Sequence, residues 1–353
     1  MSLSQQADIA QEEFADLTEP FRRELLAHCY RMLGSVDDAE DVVQETYLRA
    51  WRSYGRFEGR SSLRTWLYQI ATNACLTARE HRARRALPSG LGAAGLAGGA
   101  GGPGEDRPAE LEWLQPIPDA LVTAESDDPA VIAATRDSLR LALIASFQYL
   151  PPRQRAVLLL REVLAFPADD VARMLGTSTV AVKSALQRAR ARLSDVAPAE
   201  RQIAEPSEPA ARALLEAYIA AFETADAAAL ERLLRRDAML ELPPSSIWFA
   251  GGEAIANAVA GLGYPGEWRM VPTAANGQPA AAAYRRSVEG AYRQGADGTE
   301  RRGADGAERR GTDGTYRAYG IVVLTVSTTG IARIVVFGDP GLFGRFGLPP
   351  TWR

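Results

Sequence analysis

In "DAEDVVQETYLRAW" the apolar residues Ala39, Val42, Val43, Tyr47, Ala50 and Trp51 recur at i, i+3, i+4 spacing. That spacing sets one face of a helix against a core. It runs through residues 10–85 and again through 131–196, so two helical stretches are predicted. Ser35 is an N-cap with Asp38 three residues on, behind the breaker Gly34. "SYGRFEGRSS" reads as a loop before the amphipathic "LRTWLYQIATNACLTAREH". Between the helical stretches lies "RRALPSGLGAAGLAGGAGGPGEDRPAE", a Gly/Ala/Pro-rich linker that cannot bury a core, ending in the more structured "WLQPIPDALV".

Past the Pro-rich hinge "APAERQIAEPSEP" the pattern changes class. One or two helices, "ARALLEAYIAAFETADAAALERLL", precede strand-like runs: "AMLELP", "WRMVPTAA", "AAAAYRRS", "YGIVVLTVS" and "IARIVVFG". Helices followed by strands predict an α+β domain in which helices cover one curved antiparallel sheet. An octad, "RQGADGTE", "RRGADGAE", "RRGTDGTY", runs from Arg293 to Tyr316. Its Gly and Asp resemble calcium-binding turns, but paired arginines repel a cation, so an expanded hairpin loop is expected. The expected architecture is multidomain: two all-α domains over 10–86 and 132–196, a flexible linker over 87–131, a hinge over 197–208, an α+β domain over 209–338 with the repeat loop near 289–316, and a tail over 339–353.

Composition narrows the chemistry. Hydrophobic residues make up 46% of 353, which excludes global disorder, and the net charge of −4 confines any nucleic-acid surface to a local patch. Lys183 is the sole lysine against 39 arginines. No basic-then-apolar leader and no long apolar run are present, so a cytoplasmic protein without membrane association is expected. Cys29 and Cys75 read as free buried thiols, and His28 and His81 give no ligand spacing, so neither metal nor cofactor is expected.

Three patches carry candidate chemistry. The polar stripe of the opening helix holds Asp41, Gln44, Glu45 and Leu48, acidic with an exposed leucine in it. "FPADDVARMLGTSTVAVKSALQRARARL" has helix-turn-helix form: Gly176 stops a short helix, Thr177 or Ser178 caps the next, and Val182, Leu186, Ala189 and Leu193 form its buried seam. Ser178, Thr179, Lys183, Ser184, Gln187, Arg188 and Arg190 lie mostly away from that seam, with no acid from Ser178 to Ser194. Arg and Lys suit phosphates or guanine edges, and Gln suits adenine. In "YGRFEGRSSLRTWLYQIATNA", Tyr54, Phe57, Trp66 and Tyr68 interleave with Arg56, Arg60 and Arg64, the combination that unpaired DNA bases require. Trp66 and Tyr68 taken alone read as core or core-edge residues, and the Gly-flanked loop Arg56–Ser62 as the better base-capturing pocket.

"LLAHCYRMLGSVDDAEDVVQETYLRAWRSYGRFEGRSSLRTWLYQIATNACL" resembles region 2 of the extracytoplasmic-function (ECF) sigma-70 factors, and "LPPRQRAVLLLREVLAFPADDVARMLGTSTVAVKSALQRARARL" resembles their region 4. The resemblance covers roughly the first 196 residues and implies a promoter-specificity subunit of bacterial RNA polymerase. It implies that Asp41, Gln44, Glu45, Leu48 and Arg49 dock on the β′ coiled coil. Arg56, Phe57, Gly59, Arg60, Ser61, Arg64, Thr65, Trp66, Gln69 and Asn73 would capture the −10 element, and the helix from Ser178 to Arg190 would read the −35 duplex. "FQYLPPRQRAVLLLREVL" would help hold the β flap, and the linker would correspond to region 3.2.

The last domain resembles the SnoaL-like, cystatin-like (NTF2-like) cone carried by some ECF factors, on "LELPPSSIWFAGGEAI" and "FGDPGLFGRFGLP". In that family the cone modulates sigma activity. Cones of this kind also include isomerases and cyclases with a carboxylate or histidine base, yet this domain has no histidine. Asp237, Glu241 and Asp339 are its acidic candidates, with Asp237 and Asp339 equally readable as turn residues. Trp248, Phe249, Trp268 and Met270 either line a pocket for an unidentified small ligand or fill the core. A ligand-sensing helix-turn-helix regulator, or an isomerase or cyclase fused to a DNA-binding module, are the alternatives. The first leaves the acidic stripe without a purpose, and the second lacks a convincing catalytic set.

Overall fold

The computed structural model describes residues 12–59, 61–79, 85–90, 112–123, 134, 136–196, 206–261, 263–286, 292–294, 300–302 and 314–353. It divides into two units, Met1–Ala86 with Glu110–Ile203, and Leu87–Ala109 with Ala204–Arg353. Arg60, the hinge 197–205, and most of the linker and repeat loop lie outside the described residues.

The first unit starts with α1 (Arg22–Leu33), α2 (Val36–Tyr54) and α3 (Leu63–Arg79). Helix α1 is the central rod: every residue from Leu25 to Leu33 is buried. It ends at Gly34, which takes the left-handed conformation (φ 74°) and donates its N–H to the Tyr30 carbonyl at 2.7 Å. Ser35 then caps α2 as expected, accepting the Asp38 N–H at 3.2 Å. Strands β1 (Arg85–Ala86) and β2 (Glu112–Trp113) pair in parallel.

The expected flexible linker is ordered at its far end. Gln115 donates its N–H to the Gly34 carbonyl (3.0 Å), accepts from the Ser35 hydroxyl (2.6 Å) and donates to Asp37 (2.8 Å). The Tyr30 hydroxyl donates to the Gln115 carbonyl at 2.7 Å. Buried Leu114 and Ile117 complete the seam. A four-way hydrogen-bonded glutamine thus fastens this stretch onto the α1–α2 corner.

The second helical stretch forms α4 (Leu141–Phe147), α5 (Pro152–Leu158) running on through a π turn (Leu159–Val163), α6 (Ala168–Met174) and α7 (Thr179–Val196). It packs directly on the first. Arg155, fully buried, donates to the Met32 carbonyl, the Gln148 side chain (2.8 Å) and the Leu150 carbonyl (3.3 Å). Tyr68 meets Phe166 edge-on at 5.2 Å. Arg155 belongs to the stretch expected to hold the β flap, but here it ties the two helical domains together.

In the second unit, α8 (Glu208–Glu223), α9 (Ala227–Leu233) and α10 (Gly252–Ala260) accompany a sheet ordered β4 (Trp248–Ala250), β3 (Leu234–Glu241), β10 (Gly330–Phe337), β9 (Tyr316–Ser327), β6 (Gln278–Arg286), β5 (Trp268–Ala275). The sheet was expected to be wholly antiparallel. It is mixed: β3 and β10 run parallel, which the long stretch of chain between them permits. Within the repeat, β7 (Tyr292–Gln294) pairs antiparallel with β8 (Glu300–Arg302).

The run Ala280–Ala283 is buried on both sheet faces. Ala281 and Ala283 join Val322, Leu324 and Tyr218 in the core. The opposite face is covered by residues expected to form a tail. A 3₁₀ turn (Pro340–Gly344) sets Phe343 against Tyr284 at 4.9 Å, Tyr284 donates to the Pro349 carbonyl at 3.0 Å, and β11 (Thr351–Trp352) pairs with β9. The segment 339–353 is therefore a structural lid of the cone.

Candidate nucleic-acid interface

The acidic stripe lies open on α2. Asp41, Gln44, Leu48 and Arg49 are exposed and Glu45 half-buried, with Leu48 at 51%. Arg49 donates to Glu45 at 2.6 Å, an i, i+4 pair. Asp38, Asp41, Val42, Glu45 and Arg49 form one wall of a groove of about 290 Å³, and Ala74, Thr77 and Ala78 of α3 form the other. Asp38 is paired with Arg85 at 2.8 Å and Glu45 with Arg49, so the groove's outward face carries Asp41 beside the Glu45–Arg49 pair. The α3 wall was missed in the sequence, because small residues on a neighbouring helix leave no mark in α2's own periodicity.

The candidate single-strand site is partly assembled. Phe57 packs at a tilt against Trp66 (4.8 Å) and lies nearly parallel to Tyr54 (6.5 Å), giving a half-buried aromatic row beside the loop. Gly59 takes φ 68°, and Arg56 is exposed. Ser62 caps α3, accepting the Thr65 N–H at 3.1 Å, with Ser61 and Thr65 half-buried beside it. Tyr68 is fully buried, so it is core, and burial pushes its phenol pKa up.

The far end of this surface faces the helix-turn-helix. Arg64 forms a bidentate pair with Glu24 (3.0 and 2.9 Å) and lies 4.9 Å over both the Tyr68 and Phe166 rings. The Asn73 amide donates to the Gln69 carbonyl (2.9 Å) and to the Met174 carbonyl of α6 (3.2 Å).

Helix α7 presents the expected basic face. Ser178 caps it, accepting the Ala181 N–H at 3.2 Å. Val182, Ala189 and Leu193 are buried, while Leu186 is only half-buried. Lys183, Gln187, Arg188 and Arg190 are exposed, with Thr179 and Ser184 half-buried. Arg188 donates to the Ser184 hydroxyl at 2.6 Å, and Arg190 pairs with Glu162.

The cone's candidates turn inward or into pairs. Trp268 and Met270 are buried in the core, Trp268 edge-on to Phe222 (5.7 Å) and Tyr319 (4.9 Å), with half-buried Phe249 packed on the same cluster. Trp248 is half-buried on β4. Trp268 and Met270 thus belong to the core, with Phe249 packed against it. Asp237 is exposed, and hydrogen bonds from Arg235 hold its carboxyl below the usual range. Glu241 is fully buried, paired with Arg333 at 3.1 Å and accepting the Ser89 N–H at 2.9 Å. Asp339 caps the 3₁₀ turn through the Gly341 N–H. Each carboxylate thus has a structural partner. Among the described residues, no group of His, Cys, Asp and Glu is arranged to hold a metal, and no helix is long and apolar enough to cross a membrane.

Two helical domains, one with an outward acidic groove and one with a helix-turn-helix whose second helix is basic, precede a helix-covered sheet, the arrangement expected of a promoter-recognition protein. The profile of sigma-70 region 2 matches residues 17–85, and that of sigma-70 region 4 matches residues 140–193. The chain is 45% identical to the ECF RNA polymerase sigma factor SigG of Mycobacterium tuberculosis (strain ATCC 25618 / H37Rv), covering 98% of this chain and 86% of that one. It is 27% identical to the ECF RNA polymerase sigma factor SigW of Bacillus subtilis (strain 168), over 51% of this chain and 86% of that one. The crystal structure of the Mycobacterium tuberculosis ECF sigma factor SigJ shares the fold, with a TM-score of 0.57 at 21% identity over 95% of this chain and 100% of that one. The chain belongs to the ECF RNA polymerase sigma factors: it directs transcription initiation from promoters, with a SnoaL-like α+β domain after regions 2 and 4.

Proposed function

We propose that the α2 groove, through Asp41, Gln44, Glu45, Leu48 and Arg49, docks on the β′ coiled coil of core polymerase. The Arg56–Ser62 loop with Phe57, Trp66, Gln69 and Asn73 captures the −10 element, and the exposed face of α7 reads the −35 element. The observation that carries this reading is the separation of charge between elements: an outward acidic groove on α2, and exposed Lys183, Arg188 and Arg190 on α7, of which Arg190 is paired with Glu162. Carboxylates on the groove steer and register a basic helix, and Leu48 adds an apolar anchor. The cone regulates the factor by contact rather than by catalysis or by binding a small ligand, a reading supported by its paired carboxylates and filled core. The factor acts in the cytoplasm with polymerase.

The test is run-off transcription with purified core polymerase, comparing the full chain with one ending near Glu205. The difference between them gives the sign of the cone's effect. Asp41→Arg with Glu45→Arg is expected to weaken core binding at least tenfold, roughly, because like charges then face each other. Circular dichroism should be unchanged, since Asp41 is exposed and Glu45 lies outside the buried seam of α2. Normal core capture by the double variant would remove the groove from the polymerase interface.

A further inference from the structure

Helix α7 sorts its exposed residues by chemistry. At 100° per residue, Val182, Ala189 and Leu193 fix the buried direction. The line opposite them is occupied by Val180, Ser184, Gln187 and Ala191. Cations flank that line, with Lys183 and Arg190 on one side and Arg188 on the other. An uncharged centre between cationic edges matches a major groove, where base edges lie at the floor and phosphates at both rims.

Val180 stands at the N-terminal tip of that line. The Ser178 cap fixes the start of the helix, which places Thr179, Val180 and Ala181 in its first turn. Val180 is 75% exposed, more than any other large hydrophobic side chain among the described residues; Leu48 is 51% exposed and Tyr264 54%. A single exposed valine is unremarkable by itself. Here, however, it occupies the first turn of a reading helix, where N-terminal side chains meet base edges. Its isopropyl group offers neither donor nor acceptor. The apolar feature that a major groove presents is the thymine C5-methyl group.

We propose that Val180 is a specificity-determining residue of the −35 interface that packs against a thymine methyl. Gln187 and Ser184 supply polar readout along the same line, and Lys183, Arg188 and Arg190 hold the phosphates. This rests on the assignment of α7 to the −35 element.

The experiment uses the full chain assembled with core polymerase, bound to a promoter fragment found by selection. Each thymine of the −35 element is replaced in turn by uracil, which deletes the methyl and leaves every hydrogen-bonding edge intact. At one position uracil is expected to weaken binding roughly fourfold, the worth of one buried methyl group. Val180→Ala should weaken binding on the thymine promoter by a similar factor, show no response to uracil at that position, and leave the salt dependence unchanged. Additive losses in variant and native protein at every position, or no uracil effect at all, would overturn the Val180 assignment alone. If Lys183→Ala and Arg188→Ala also leave promoter binding unchanged, the −35 assignment of α7 falls and Val180's role falls with it.

Discussion

His28 is an ionisable side chain placed where it cannot ionise. It is fully buried in α1, with Nε2 2.9 Å from the Thr72 hydroxyl. Burial first, then the nearby Arg31 and Arg64, lower its pKa to about 3. The folded chain therefore keeps His28 neutral while the unfolded chain takes up a proton near pH 6.5. Stability from this residue is complete above pH 6.5 and is lost as pH falls from 6.5 toward 3, by roughly 2 kcal/mol between pH 7 and 5. Amide exchange of α1, measured at both pH values, should show this loss in the native protein and a smaller one in His28→Gln. An equal loss in both would mean that His28 charges freely. Sequence periodicity does place His28 and Tyr68 on helices. It does not show that Arg64 is clamped by Glu24, because a pair 40 residues apart in the chain leaves no local pattern.

At the scale of elements, local chemistry was readable and docking was not. The caps at Ser35 and Ser178 and the stop at Gly34 follow from side-chain hydrogen bonding and glycine's tolerance of positive φ, and the structure has all three. The attachment of the linker's end through Gln115, the C-terminal lid over Tyr284, and the parallel β3–β10 pair arise from partners 78 residues or more away in the first case and from sheet order in the others. Gly34 links the two kinds of information. A Cβ there would need left-handed backbone and would stand 2.6 Å from Leu114 Cδ2 of the docked segment. Gly34→Ala is expected to cost about 1–2 kcal/mol from backbone conformation, plus the displacement of Leu114. Hydrogen exchange should locate that loss in Glu112–Val122 as well as at the α1–α2 corner. Exchange altered only at the corner would show that the segment is not held by this contact.

At the scale of the whole helical unit, the two surfaces proposed to read DNA lie against each other, closer than the spacing of the elements they are proposed to read. Elements centred near −10 and −35 lie about 25 base pairs apart, on the order of 85 Å along B-form DNA. Yet Asn73 of the −10 surface donates to Met174 of the helix-turn-helix at 3.2 Å, and Phe166 sits against Tyr68 and Arg64. Simultaneous reading by the proposed surfaces would therefore require α4–α7 to leave α1 and α3, exposing Phe166 and withdrawing Arg155 from the Met32 carbonyl. On the proposed reading, this buried apolar and hydrogen-bonded surface would have to be replaced by competing contacts when polymerase binds. Cysteines introduced at exposed Arg52 and Asp169 can carry a donor–acceptor dye pair, since the native Cys29 and Cys75 are buried. Energy transfer should be high in the free chain and fall when core polymerase and promoter DNA are added. Asn73→Ala, which removes the contact to Met174, should lower the transfer in the free chain more modestly. Transfer that stays high in the promoter complex would mean that regions 2 and 4 read DNA while packed together, and the tandem −10/−35 assignment would then have to be abandoned.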